Sequence, residues 1–96
     1  MGRLSRYTMQ TRDIVVENPN GLHMRVASKI AQLSQEHGAQ IQLISDDNRQ
    51  ASGASVLDML TLGIQRGTTV RITVDGPSEN LVADQLTAIL AVGGAA

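Results

Sequence analysis

The run Thr69–Val74, TVRITV, alternates without a break, with Val70, Ile72 and Val74 on one side and Thr69, Arg71 and Thr73 on the other. Successive side chains of a strand point to opposite faces, so a strand made from this run buries one face and wets the other. Parallel sheets are covered on both faces and read as continuous apolar runs, so this pattern asks for an antiparallel sheet with a cover on one side. The cover has to come from amphipathic helices elsewhere in the chain.

Three such segments are present. Val26, Ile30 and Leu33 recur at i, i+4 and i+7 beside Ala27 and Ala31, which predicts a helix starting near His23 and stopped by Gly38. Ser55 precedes an apolar run with Asp58 three residues on, a variant of the capping box, and Gly63 closes that short helix. Gly76-Pro77 opens the last one, with Pro at its first position, Glu79 in the first turn and Val82, Leu86 and Ile89 as its stripe. Further strands are expected at 11–17, with Ile14 and Val16 on one face, and at 39–45, around Ile41 and Leu43. The turn Asp46-Asp47-Asn48 leads to a short strand at 49–52. The order β-α-β-β-α-β-α describes an α+β open-faced sandwich in one domain over residues 11–92. Residues 1–10 show no periodicity and are expected to form a loose extension.

Composition closes off several classes of function. With no Phe or Trp, and Tyr7 as the one aromatic residue, the core must be aliphatic and nothing is available to stack on bases. A net charge of -1 also argues against nucleic acid. The chain has no cysteine, no signal-like apolar stretch and no 18-residue apolar segment, so the expectation is a cytoplasmic protein without disulfides or membrane insertion, monomeric by default.

The two histidines, His23 and His37, would stand roughly 21 Å apart along a single helix, too far to share a metal. His37, in a last helical turn, favours the helix dipole and reads as structural. His23 follows the turn Asn18-Pro19-Asn20-Gly21, which reads as a surface loop, at a helix start, where free N–H groups and the positive dipole end suit an anion. A free imidazole, with a pKa near about 6.5, is largely neutral at pH 7 and keeps one ring nitrogen free to attack phosphorus. Arg25 could bind phosphoryl oxygens only by folding back over the terminus, because residues two apart on a helix do not face each other. The other reading of these residues is a merely solvated histidine. An independent hydrolase finds no support in any nucleophile–base spacing.

The stretch Asn18-Pro19-Asn20-Gly21-Leu22-His23-Met24-Arg25-Val26-Ala27 resembles the phosphorylation signature of the HPr family, usually Gly-Leu-His-Ala-Arg-Pro-Ala, and five of those seven positions match. A second likeness is the serine opening a short helix ahead of a Leu-Gly pair, here Ser55 in ASVLDMLTLGIQRG. The resemblance runs from about Thr11 to Leu90. It implies an HPr-like fold, a four-stranded antiparallel sheet covered on one face by three helices, and a phosphocarrier of the phosphoenolpyruvate-dependent phosphotransferase system. It further implies that His23 accepts a phosphoryl group on Nδ1 from phospho-enzyme I and passes it to A components of sugar permeases or to regulatory proteins. In that reading the Met24 and Arg25 amides and the Arg25 side chain stabilise the phosphate, and Met24, Val56 and Leu57 dock the partners. No metal or cofactor is implied, and the chain alone is no enzyme. Ser55 is phosphorylated by a serine kinase in some members, although as an N-cap it is also simply structural.

Ordinary helix packing is the alternative for Val56 and Leu57, and Leu60 is expected in the core. Val26 stands where the family usually has proline, so a looser helix start is expected. Met24 enlarges a usually small site. Ala54 and Asp58 stand where many sugar-system carriers are basic or neutral, which weakens attraction to an acidic partner and keeps open a regulatory paralogue, either nitrogen-type or a binding module controlled at Ser55.

Overall fold

The structure, a computed structural model, describes residues 9–91. In chain order its elements are β1 (Gln10–Val15), α1 (Met24–His37), β2 (Gln40–Ile44), β3 (Gln50–Ser52), α2 (Val56–Thr61), β4 (Thr69–Asp75) and α3 (Glu79–Ala91). The strands pair antiparallel in the order β1-β4-β2-β3, which sets the alternating β4 between two partners. Ile14 lies opposite Val70, and Leu43 opposite both Ile72 and Ala51. These side chains turn to the covered face, where Val26, Ala27, Ile30 and Leu33 of α1, Met59 of α2 and Leu86 of α3 complete one core with them. The other face carries Thr11, Asp13, Gln42 and Arg71 into solvent. Across that face Arg71 Nε donates to Asp13 at 2.8 Å, and this hydrogen bond holds the Asp13 carboxyl below its ordinary range. The open-faced α+β sandwich expected from the alternating strand is the fold observed.

Local chemistry explains the ends of the elements. Gly38 takes the left-handed conformation at φ +58 after α1, the Ala39 amide donates to the Ser34 carbonyl at 3.1 Å, and Ser34 Oγ donates to the Ala39 carbonyl at 2.7 Å. The last carbonyls of α2 are met from outside the helix. Arg49, in the β2–β3 turn, donates to the carbonyls of Thr61 at 3.0 Å and Leu62 at 2.8 Å. Asp47 holds Arg49 Nε at 2.8 Å and also accepts from the Ser45 hydroxyl.

Some details differ from the sequence reading. β1 begins at Gln10, inside the extension expected over 1–10, of which residues 1–8 lie outside the described residues, as does residue 92 at the far end of the expected domain. Val16 leaves the ladder yet stays fully buried, its amide donating to Thr68 O at 2.9 Å and its carbonyl accepting from Gly67 at 2.8 Å. α3 starts at Glu79, and Pro77 lies in the preceding turn rather than at the first helical position. Val82 N–H donates to Ser78 O at 2.9 Å, so Ser78 provides the first helical acceptor. Leu90 joins the α3 stripe in full while Ile89 packs at its margin. In α2 the buried residue is Met59, followed by Leu62 just beyond the helix, and Leu60 is half-buried.

Leu43 is wholly buried in an inner strand, so Leu43→Ala is expected to cost about 2–5 kcal/mol in urea unfolding with the denaturant slope unchanged. Asp47 makes a second prediction. The hydrogen bond from Ser45, followed by contact with Arg49, lowers its carboxyl from 3.8. A depressed carboxyl contributes stability that is present above its unfolded value and is lost as pH falls through the folded one. Asp47→Asn is therefore expected to show a smaller fall in melting temperature than the parent between neutral pH and about pH 2.

Candidate functional site

The loop between β1 and α1 is fixed by segments far away in sequence. The Glu17 amide donates to Leu90 O at 2.7 Å and Asn18 Nδ2 donates to Ile89 O at 3.0 Å, both on the last turn of α3, whose end carbonyls lack intrahelical donors. Asn18 O accepts from the Gly21 amide at 2.9 Å, and the Leu22 amide donates to Ile64 O at 2.9 Å. Asn18 is fully buried, although its position in a turn-rich tetrapeptide suggested an exposed residue. Gly21 is required twice over. It sits at φ +67, and a Cβ there would stand 2.4 Å from Ile64 O and 2.8 Å from Gln65 Cα.

This pinned loop delivers His23 to the N-cap of α1 with extended backbone, φ -97° and ψ -177°. Its carbonyl accepts from Ala27 N–H at 2.9 Å, and its half-exposed ring turns back so that Nδ1 accepts from the Arg25 amide at 3.3 Å. An accepting Nδ1 carries a lone pair, so in the neutral ring the proton sits on Nε2. Pro19, Asn20, His23 and Arg25 line one shallow depression. Arg25 therefore reaches the His23 side: His23 lies outside the regular helix, and the rule that residues two apart diverge does not apply. Pro19 and Asn20 are site residues that the sequence reading treated only as a turn. Val26 is wholly buried, and α1 begins regularly at Met24 without the proline.

Met24, next to His23 in the chain, is 62% exposed, and Leu57 of α2 is 74% exposed. Val56 is half-buried and packs on the core, so it follows the packing reading more closely than Leu57 does. Ser55 is the N-cap of α2, its Oγ accepting from the Asp58 amide at 3.2 Å. Among the described residues no group of three or more His, Cys, Asp or Glu could hold a metal, and no helix is long and apolar enough to cross a membrane.

The family model described as the PTS HPr component phosphorylation site matches residues 10–91. The chain belongs to the HPr family. Phosphocarrier protein HPr of Cupriavidus necator is 34% identical to it over 83 residues, covering 86% of this chain and 92% of that relative. Phosphocarrier protein NPr of Shewanella violacea is 32% identical over 83 residues, covering 86% and 90%. The crystal structure of HPr from Bacillus anthracis shares the fold with a TM-score of 0.79 at 24% identity, covering 86% of this chain and 98% of that one. The sandwich and its element order thus stand within a known HPr architecture.

Two glycine substitutions separate strain from collision. Gly38→Ala meets open space and bears only the strain of its positive φ, about 1–2 kcal/mol. Gly21→Ala bears that strain and strikes backbone as well, so it is expected to lower the urea midpoint further and, unlike Gly38→Ala, to shift the His23 ring resonances in NMR spectra.

Proposed function

We propose that His23 is the phosphoryl acceptor of this HPr-family phosphocarrier, taking the group on Nδ1 from phospho-enzyme I and passing it to A components of sugar permeases or to regulatory proteins. The carrying observation is the contact between Nδ1 and the Arg25 amide. The lone pair of Nδ1 attacks phosphorus while the bond from phosphorus to the donor's leaving atom breaks, and that atom keeps the bonding pair. Nδ1 has no proton to lose, so the step needs no general base.

The phosphoryl oxygens arrive where the Arg25 amide already points, and that N–H, with its Met24 neighbour at the helix start, exchanges a neutral acceptor for an anionic one. The Arg25 guanidinium, exposed and lining the same depression, adds a positive charge. With its proton on Nε2 the phosphorylated ring is cationic, which weakens the P–N bond and readies the group for the next acceptor. One chain holds every group this transfer uses, and we take the monomer in the cytoplasm as the working species.

A regulatory paralogue is the second reading, favoured by nearly equal identity to an HPr and an NPr relative, 34% and 32%. Ser55 as a target of a serine kinase or phosphorylase belongs to that reading. Its hydroxyl already serves as a cap, and Asp58 in the same turn would repel a phosphate there.

Incubation with enzyme I and phosphoenolpyruvate is expected to give an acid-labile, alkali-stable phosphoryl group that His23→Ala abolishes. Arg25→Ala is expected to keep the label and slow its formation by about tenfold or more, as loss of one oxyanion-stabilising group does. No label on the parent, with the same enzyme I active on another carrier, would overturn the proposal.

A further inference from the structure

The loop that carries His23 leans on a second loop, and that loop carries a cation. Residues 65–68 form a tight turn in which the Thr68 amide donates to Gln65 O at 3.1 Å and Gly67 sits at φ +87, so Arg66 occupies its second position. The turn is held against the β1–α1 loop at two points. Gly67 N–H donates to Val16 O at 2.8 Å, and a Cβ at Gly21 would stand 3.2 Å from the Arg66 backbone nitrogen. His23 follows Gly21 by two residues, at most about 7 Å of chain. An arginine side chain from one side and a phosphorylated imidazole from the other can close that interval.

Arg66 has its donors to spend. Arg12 is bound to Asp84, Arg49 to Asp47 and two carbonyls, and Arg71 to Asp13. The Arg66 guanidinium, in contrast, donates no hydrogen bond among the described residues. Its polar partner is Glu17, with Nε 3.9 Å from Oε1, and the two side chains are 63% and 49% exposed. An exposed pair at that separation contributes little. Lys29, also unpaired among the described residues, stands in the second turn of α1 and lines a groove between α1 and α3 instead.

We propose that Arg66 is a second phosphate-binding arginine of this carrier: when His23 is phosphorylated, the Arg66 guanidinium leaves Glu17 and joins Arg25 on the phosphoryl oxygens. The inference rests on the phosphocarrier reading above. A phosphoryl group near pH 7 offers a charge of about -1.5 to -2 and three acceptor oxygens, against the single charge of Glu17, and a guanidinium meets phosphate through two parallel N–H bonds. The exchange gains charge-assisted hydrogen bonds that the 3.9 Å pair does not make. Glu17 keeps its backbone bond to Leu90 O, so the loop stays anchored while the side chains trade partners.

The test uses the full chain, kept phosphorylated by enzyme I and phosphoenolpyruvate, for the parent, Arg66→Gln, Glu17→Gln and the double variant. Phosphorus NMR titrates the phosphoryl group, nitrogen NMR follows the arginine Nε–H signals, and circular dichroism shows that each variant is folded, as expected for exposed side chains. The Arg66 Nε–H signal is expected to shift on phosphorylation, while that of Arg71, bound to Asp13 across the sheet, does not. In Arg66→Gln the second ionisation of the phosphoryl group is expected to rise by about 0.5 unit or more, roughly threefold in its constant, because a nearby cation favours the dianion. The double variant is expected to stay above the parent. An Arg66 signal that does not move, or an Arg66→Gln titration that matches the parent, overturns the contact and leaves the carrier reading intact. A double variant that titrates as the parent does overturns it too, because Arg66 then only screens Glu17. Failure of enzyme I to phosphorylate the parent removes the carrier reading itself, and with it the group that Arg66 would bind.

Discussion

The hydrogen bond from the Leu22 amide to the Ile64 carbonyl, at 2.9 Å, is the contact on which the placement of His23 depends. It draws the loop after β1 against the segment after α2 so closely that residue 21 has no room for a Cβ. One turn earlier the same loop is tied to the end of α3 through Glu17 and Asn18. Three segments, remote in sequence, thus set where α1 begins and how its first residue is turned. A backbone pinned at both ends lets the imidazole sit outside the helix with Nδ1 facing the amides, a geometry that a residue inside the helix could not adopt.

The core supports that arrangement with modest means. It is assembled from Ile, Leu, Val, Met and Ala, so each residue contributes a limited apolar area and the total depends on packing many of them well. The fully buried Ile30, Ile41, Leu43, Met59, Ile72 and Leu86 come from five different elements, which makes sheet and helices mutually dependent. The open face of the sheet adds little beyond the Asp13–Arg71 pair, since exposed ion pairs are worth at most about 1 kcal/mol. Stability therefore resides on the covered side, and the loop that presents His23 is anchored to elements of that side.

Features with local causes were legible in the chain. Alternation in Thr69–Val74 gave the half-wet sheet, Gly38 the stop of α1, and Ser55 the cap of α2, because each depends on neighbours within a few residues. The parts that misled depend on distant partners. Asn18 looked like an exposed turn residue, since nothing nearby in sequence announces a carbonyl 71 positions away. Pro77 looked like a helix start, but the chain first turns away from β4, and the helix waits until Glu79. The short α2 offered Met59, Leu60 and Leu62 as rivals for the core, and only packing against α1 and the sheet chose between them. At the site, the position of His23 followed from a glycine turn before a periodic segment, supported by the family likeness. The direction of its ring followed from neither.

That direction bears on how a carrier differs from an enzyme. A catalyst gains by enclosing its reactants, whereas a carrier has to present the same atom to a donor and then to an acceptor. In the role proposed for His23, half-exposure, with amide donors supplied by backbone that is fixed before any partner arrives, meets both demands. Tight docking would defeat the exchange, because the partner just used must leave before the next can bind. In that proposed role the exposed Met24 and Leu57 suit brief contacts of that kind. Exposed apolar side chains supply most of the contact area in such a surface, and a single charge at the rim can select among partners through encounter rate without prolonging the complex.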